Sequence, residues 1–373
     1  MTYCRLCVMP DTKPFISFDA DGVCPACRSH QLKNEATSGI DWPARGAQFK
    51  TLIADAKARR APFYDVLVPV SGGKDSITQV HHLLGHDLRI LAVNVDYGIK
   101  TPVGVHNLSR VPEMGASLVT YRPELPLHKR LIRIGFEEYG DPDLLSHTLL
   151  YALPLHVARQ FHIPLVLLGE NSAFEYGGDA EVAAASQVSR AWFSRYVANH
   201  GRDANYVSGR HGIPMEKLRV YDFPDEIERS ETRAVFMSYF FHWDSETNLR
   251  IARQYGFRTR DQRGEGTYRT YVGIDELINR VHQYLKVMKF GYGRATDHAC
   301  EDIRNGRLTR DAAKALVRRY DLEDLTSEYV TGFAEFAEMT VDAVVSAIER
   351  CRNPNIWRRR DPGGWYIPGH VED

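Results

Sequence analysis

The chain has 373 residues, and its 47 Lys and Arg residues nearly balance its 48 Asp and Glu residues, for a formal net charge of −1. This length allows two or three domains with a sizeable core. The balanced charge excludes bulk attraction to nucleic acid or anionic membranes, although a local basic patch stays open. We find neither a long apolar run nor a secretory signal, so we expect a cytoplasmic protein with reduced cysteines.

Four of the six cysteines form two CxxC pairs near the start of the chain, Cys4 with Cys7 and Cys24 with Cys27. Their spacing lies in the range of structural Zn²⁺ sites, in which four thiolates close a tetrahedral metal to water. A redox pair and an iron–sulfur cluster are the alternatives. Between the pairs, the pattern predicts turns around a short strand at residues 15–18.

An apolar run at residues 65–70 predicts a buried strand of a parallel sheet, and it leads into the sequence SGGKDS. Two adjacent glycines permit a tight turn that points N–H groups at one spot, and the helix that follows adds its positive dipole end. Lys74 adds a mobile charge, and the two serines add hydroxyl donors. We interpret this loop as a phosphate cradle that differs from the Walker spacing, with an ordinary glycine turn as the alternative.

Strand and helix patterns then alternate, which predicts an α/β fold with a doubly wound parallel sheet. A helix at 47–59 precedes the first strand. Further strands are predicted at 89–96, 117–121 and 164–168, the last of them in the chain, and helices at 103–111, 125–139 and 144–160.

The strand at 164–168 ends in Gly169, Glu170 and Asn171, at the carboxyl edge where open α/β sheets bind ligands. Gly169 permits close backbone approach, and the next two residues are candidates to orient a phosphate-bound Mg²⁺ or a substrate amide. A helix cap is the alternative for Asn171. Glu175 and Asp179 are further candidates for Mg²⁺.

Beyond about residue 180 the alternation gives way to helical patterns. We therefore divide the chain into a zinc-binding knuckle at 1–40, a nucleotide-binding domain at 41–180 and a mainly helical region at 181–373 for substrate and partner contacts. Between two predicted helices of that region lie Tyr292, Arg294 and His298. Arg294 offers a planar fork for phosphate or carboxylate, and His298 could shuttle protons, whereas a plain interhelical loop is the alternative.

Four blocks stand in a fixed order: the CxxC pairs with CVMPDT, then SGGKDS, LLGEN and KFGYGRATDHACEDI. SGGKDS after a strand resembles the PP-loop of ATP pyrophosphatases, which split ATP between its α and β phosphates. The four blocks together are similar to the N-acetyl sugar amidotransferases, PP-loop enzymes of bacterial surface-glycan biosynthesis such as lipopolysaccharide and O-antigen. The similarity extends from Cys4 to at least Arg307.

This resemblance implies that ATP and Mg²⁺ are used to adenylate the acetamido oxygen of a nucleotide-linked N-acetyl sugar. Ammonia then displaces AMP to leave an acetamidino group, and pyrophosphate is the other product. Lys74 and Asp75 are implied as catalytic residues, and Tyr292, Arg294 and His298 as contacts of the sugar nucleotide. The residues implied in ATP binding are Ser71, Gly72, Gly73, Lys74, Asp75, Ser76, Val93, Val95, Asp96 and Gly169.

A glutaminase needs an activated nucleophilic cysteine, and outside the knuckle only Cys300 and Cys351 are present, neither in a glycine-flanked elbow. We therefore expect a separate glutaminase subunit as a partner, and the helical tail is compatible with a homodimer.

Two other functions are considered. A tRNA-thiolating PP-loop enzyme also carries zinc knuckles, but such enzymes typically need further catalytic-domain cysteines, and none lies between Cys27 and Cys300. The even charge also disfavours tRNA. A zinc-ribbon adaptor without activity is disfavoured by the intact SGGKDS loop.

Overall fold

The computed structural model describes residues 1–35, 39–178, 180–198, 201–360 and 363–371. A five-stranded sheet lies at its centre, with the strand order β3-β2-β1-β4-β5 and every neighbouring pair parallel. Its strands are β1 (Val66–Pro69), β2 (Ile90–Val95), β3 (Ser117–Tyr121), β4 (Leu165–Leu168) and β5 (Arg233–Phe236). A two-stranded antiparallel hairpin near the C-terminus consists of β6 (Arg358–Arg359) and β7 (Trp365–Tyr366).

The helices fall into three groups along the chain. Before β4 they are α1 (Pro25–Asn34), α2 (Trp42–Ala58), α3 (Lys74–His81), α4 (Pro102–Glu113), α5 (Leu125–Tyr139) and α6 (Leu144–Gln160). Around β5 they are α7 (Ser172–Tyr176), α8 (Ala180–Ala183), α9 (Arg190–Trp192), α10 (Ala204–His211), α11 (Met215–Leu218) and α12 (Ser245–Gln254). The C-terminal group is α13 (Ile278–Phe290), α14 (Arg294–Arg304), α15 (Arg310–Tyr320), α16 (Ser327–Ala337) and α17 (Val341–Arg350).

The sheet is doubly wound, as the alternation of patterns predicts. From β1 the chain moves outward to β2 and β3, then crosses back to β4 and β5 on the other side. Alternate side chains enter opposite cores: Leu67 and Val166 lie in one cluster, whereas Val66 and Leu167 lie in the other. The direction of winding reverses between β1 and β4, and the crevice at their carboxyl ends is the position where such sheets bind ligands.

Two predictions about strands are wrong. The strand at 164–168 is not the last, because β5 pairs with β4 and extends the sheet beyond the expected boundary at residue 180. Residues 15–18 form no strand: Phe15 has a positive φ of 59° and is followed by irregular backbone. In contrast, β3, α5 and α6 lie where the sequence predicts them.

The C-terminal helices pack in two places. Helices α13, α16 and α17 share a core with Phe136 of α5. Helices α14 and α15 instead contact the N-terminal knuckle, because Ala299, Ala313 and Val317 share one cluster with its four cysteines. The first and last parts of the chain are therefore joined in one core, next to the carboxyl edge of the sheet. Among the described residues, no helix has both the length and the apolar character needed to cross a lipid bilayer.

Candidate active site

The SGGKDS loop connects β1 to α3 and is held by its own serines. The Ser71 N–H donates to Ser76 Oγ over 2.9 Å, and the Gly73 N–H donates to Ser71 Oγ over 3.1 Å. Gly72 has φ +98°, a conformation that side chains with a Cβ rarely adopt. The loop therefore turns sharply into the first turn of α3, whose N–H groups form the positive end of the helix dipole.

Gly72→Ala should disrupt this turn. A Cβ on residue 72 would lie 2.8 Å from the carbonyl oxygen of Gly104. We expect this close contact and the strain of a positive φ together to lower the free energy of unfolding by roughly 1–3 kcal/mol and to weaken ATP binding. Gly73→Ala is the matched control, because Gly73 has φ −76° and its Cβ would meet only Ser71 Oγ at 3.3 Å. Urea unfolding of both variants tests this, and equal losses would contradict the assigned strain.

Lys74 begins α3 and is 8% exposed. Its Nζ donates to Asp75 Oδ2 over 2.7 Å, and Asn248 Nδ2 donates to Asp75 Oδ1 over 2.8 Å. The Lys74 ammonium also lies 5.9 Å from the ring centroid of Tyr271. The cation is thus held beside the loop, and Asn248 and Tyr271 come from parts of the chain that the sequence did not single out.

A cavity of about 270 Å³ opens beside this loop between the carboxyl ends of β1, β2 and β4. Seven of the predicted site residues line it together: Ser71, Asp75, Ser76, Val93, Val95, Gly169 and Glu170. Its remaining wall includes side chains of α6 that the sequence did not indicate: His147, Leu150, Tyr151 and Pro154. The walls are therefore apolar at one end and polar at the loop, which suits a nucleotide with an adenine ring and phosphates.

Asp96 has a different environment from the one expected. It forms an ion pair with Arg122, and its Oδ1 accepts the Gly98 N–H over 2.8 Å. Burial opposes ionisation of Asp96, but the Arg122 guanidinium and the Gly98 N–H outweigh it and lower the pKa of the carboxyl. These contacts give Asp96 a role in shaping the turn after β2.

Glu170 lines the same cavity as Ser71 and Asp75 of the SGGKDS loop. Burial, and after it the nearby Asp75 carboxylate, raise the pKa of Glu170 to about 7. Two carboxylates that share a site in this way attract a cation, which agrees with the Mg²⁺ role expected of Glu170.

In the ligand-free protein, Glu170 should destabilise the fold as the pH rises from its unfolded-state pKa towards about 7. Because the pKa of Glu170 is raised in the folded state, the unfolded chain releases this proton first, and folding is disfavoured increasingly between the unfolded pKa and about 7. Glu170→Gln should remove up to about 3 kcal/mol of this loss. Urea unfolding of both proteins at about pH 5 and about pH 8 measures the difference. An identical pH dependence in both would contradict the assignment.

Asn171 and Glu175 make contacts within the protein. The Asn171 Oδ1 accepts the Ala173 N–H, which caps α7, and its Nδ2 donates to the carbonyl oxygens of Val182 and Ala185 at 2.8 and 3.0 Å. The helix-cap alternative therefore describes Asn171. Glu175 pairs with Lys33 of α1. Asp179 lies outside the described residues.

The predicted residues of the segment at the junction of α13 and α14 lie in two different environments. Tyr292 is 4% exposed and packs in the core of the cysteine knuckle, and the Lys286 ammonium lies 4.8 Å from its ring centroid. Arg294 donates to Asn279 Oδ1 over 2.6 Å. His298 Nδ1 lies 2.8 Å from Thr267 Oγ1, and burial lowers its pKa well below the usual range, as do nearby cations such as Arg269. A buried neutral imidazole is therefore present.

An ion-pair cluster that the sequence did not reveal connects this segment to the phosphate loop. Arg269 donates to Glu301 Oε2 over 2.7 Å and to Asp302 Oδ1 over 2.8 Å. Burial opposes ionisation of Glu301, but Arg269, followed by Lys74, lowers its pKa to about 2. Glu301 Oε1 also accepts the Ser245 N–H over 3.0 Å, so α14 contacts the start of α12, the helix whose Asn248 donates to Asp75. The only sequence signal was that Glu301 lies within the KFGYGRATDHACEDI block.

The four cysteines of the knuckle form a compact, buried site. Their Sγ atoms all lie within 4.8 Å of one another, with 4.0 Å between Cys4 and Cys27 and 3.8 Å between Cys7 and Cys24. A tetrahedral metal with Zn–S bonds of about 2.3 Å separates its sulfurs by about 3.8 Å. The donor set therefore fits one Zn²⁺ with four protein ligands and no open position, as expected of a structural site.

Comparisons with known proteins add two findings. Residues 265–368 match the family described as "LPS biosynthesis protein WbpG-like, C-terminal domain", a range that includes α13 to α17 and the C-terminal hairpin. Among solved structures, the chain is similar to the NAD+ synthetase of Burkholderia pseudomallei, with 14% identity and a TM-score of 0.28 over 62% of this chain and 93% of that one. No curated protein matches the chain.

Proposed function

We propose, from the premise that this chain carries a WbpG-like C-terminal domain of lipopolysaccharide-biosynthesis proteins, that it is an ATP-dependent synthetase. Its reaction would convert the acetamido group of a nucleotide-linked N-acetyl sugar to an acetamidino group. AMP and pyrophosphate would be released, and the product would serve a bacterial surface glycan such as O-antigen.

One observation carries this proposal: the phosphate loop faces the matched domain. The Lys74 ammonium lies 5.9 Å from the ring centroid of Tyr271, the Arg269 guanidinium lies 5.5 Å from the same ring, and both Tyr271 and Arg269 belong to the matched range. A sugar nucleotide held by the helical domain could therefore place its reacting group near the α-phosphate of an ATP held by the sheet.

The chemistry explains why a phosphate cradle is needed. An amide oxygen leaves poorly, so it first attacks the α-phosphorus of ATP, and the bond from that phosphorus to the pyrophosphate oxygen breaks. The nitrogen lone pair of ammonia then attacks the activated carbon. The carbon–oxygen bond breaks, AMP leaves with the former acetamido oxygen, and loss of a proton from nitrogen gives the amidine.

This chain's residues would act on the departing charge. Lys74 and the first-turn N–H groups of α3 would hold the pyrophosphate as negative charge develops on it. Asp75 and Glu170 would hold Mg²⁺, which neutralises phosphate charge when bound. Val93 and Val95 would contact the adenine. Zn²⁺ in the cysteine knuckle would join the first residues of the chain to α14 and α15 without entering the chemistry.

Ammonia would come from a separate glutaminase subunit. Cys300 is fully buried in the core of the knuckle. Cys351 is half-buried and lies beside Gly140, the residue that follows the last residue of α5. Burial also raises the pKa of the Cys351 thiol, which opposes the thiolate that a glutaminase requires.

The test is turnover with ATP, Mg²⁺ and ammonium chloride against a panel of UDP- and CMP-linked N-acetyl sugars, with mass spectrometry of the acceptor. We expect one sugar to exchange an oxygen for an NH group, with AMP and pyrophosphate formed in equal amounts. Bulk tRNA with a sulfur donor is the comparison arm, and a thiolated tRNA would replace this proposal by the thiolation function.

A further inference from the structure

A small polar cavity of about 20 Å³ lies between α1, α7 and α14, next to the cysteine knuckle. Its walls include Ser29, Lys33, Glu175, Tyr176, Glu301 and Arg304. This volume is enough for one molecule of the size of water and too small for a nucleotide or a sugar.

Two buried polar atoms of this cavity lack partners in the part of the chain that the structure describes. The Glu175 side chain is 8% exposed, and Lys33 donates to its Oε2, but its Oε1 has no hydrogen-bond partner. One terminal nitrogen of Arg304, Nη1, is likewise unpaired, while Nη2 lies 3.5 Å from the Glu175 carbonyl oxygen. Buried polar atoms nearly always have a hydrogen-bond partner, so this pair of unpaired atoms indicates that the cavity holds a small bound molecule.

The two unpaired atoms also determine which hydrogen bonds the bound molecule must make. Glu175 Oε1 requires a donor and Arg304 Nη1 requires an acceptor, so the bound molecule must both donate and accept. Neutral ammonia has three N–H donors and one lone pair, whereas ammonium has no lone pair to offer to Arg304. Water satisfies the same two atoms.

The cavity is separated from the nucleotide site by a shared wall. Helix α7 begins two residues after Glu170, and its residues Glu175 and Tyr176 line the small cavity. Glu170 and Asp75 line the nucleotide cavity, whereas Glu175 lines the small one. The segment from Glu170 to Tyr176 therefore contributes to the walls of both cavities.

We propose that this cavity is a relay site for neutral ammonia on its way from the knuckle side to the adenylated sugar. The inference rests on the proposed function. Ammonia would rest between Glu175 and Arg304 and pass the Tyr176–Glu301 wall to reach the activated carbon. The arrangement also explains why the cysteine knuckle packs against α14, since α1, which begins directly after Cys24, forms one wall of the cavity.

Ser29→Leu tests this by filling the cavity, and Ser29→Ala is the matched control. We expect Ser29→Leu to raise the KM for ammonium at least tenfold while the KM for ATP and for the sugar stays within twofold of the wild-type value. Ser29→Ala should stay near wild type throughout. Exchange of labelled pyrophosphate into ATP, with the sugar present and ammonium absent, should be unchanged, because adenylation does not need ammonia.

A second variant guards against misfolding of the first. Glu175→Gln keeps the size of the side chain and removes its charge. This variant should raise the KM for ammonium several-fold and leave the exchange of labelled pyrophosphate into ATP unchanged. If wild-type enzyme turns over and both variants keep a normal KM for ammonium, the relay is overturned and the cavity holds structural water. If the wild type forms no amidine at all, the proposed function fails, and the relay fails with it.

Discussion

Lys74→Met is expected to reduce pyrophosphate release roughly 10²- to 10³-fold, because it removes the mobile cation that would balance charge on the departing pyrophosphate. The side chain is 8% exposed and held by Asp75, so the effect should come from charge and not from lost surface contacts. The measurement is the initial rate of pyrophosphate release with ATP, Mg²⁺, ammonium and the accepted sugar nucleotide.

Lys50→Met is the matched control for Lys74→Met. Lys50 is exposed on α2, away from the phosphate loop, and its substitution should leave the rate within about twofold of wild type. Thermal unfolding of both variants shows whether a reduced rate of pyrophosphate release is caused by misfolding. A folded Lys74→Met protein that keeps its rate would contradict the role assigned to this lysine.

Cys24→Ser is expected to abolish stoichiometric binding of zinc. It should also lower the free energy of unfolding by several kcal/mol, because the free energy of zinc binding stabilises the folded state. The four cysteines share a core with α14 and α15, so loss of the metal should loosen the helices that carry Glu301 and His298. Metal analysis and thermal unfolding measure both effects, and a chelator strong enough to remove the metal should reproduce them in the wild-type protein.

Cys351→Ser is the control for Cys24→Ser. Cys351 is half-buried and lies outside the cluster, so this variant should retain its zinc and lose no more than about 1 kcal/mol. Full zinc content and normal stability in Cys24→Ser would exclude the closed four-thiolate site. A strong visible absorbance in the purified wild-type protein would instead favour the iron–sulfur alternative.

Local patterns were enough to predict the parts of the fold and site that depend on neighbouring residues. The SGGKDS loop after a buried strand predicted the phosphate site at the carboxyl edge of the sheet, and the CxxC pairs predicted the four-sulfur cluster. Strand β3 and helices α5 and α6 were also predicted, because each is long enough to show its period.

What the sequence did not reveal depends on contacts between distant segments. Strand β5 has four residues and follows a long stretch of short helices and turns, so its period was too brief to detect. Asn248, Arg269 and Glu301 reach the site only because the helical region closes on the edge of the sheet. The same closure gives Tyr292 a place in the knuckle core and pairs Glu175 with Lys33.

The most direct test of the central claim follows the acetamido oxygen. The sugar nucleotide would be prepared with oxygen-18 in its acetamido group and incubated with the enzyme, ATP, Mg²⁺ and ammonium. If that oxygen attacks the α-phosphorus, the label must leave in AMP, and the pyrophosphate must stay unlabelled. Unlabelled AMP alongside an amidinated sugar, or release of ADP in its place, would contradict adenylation of the amide.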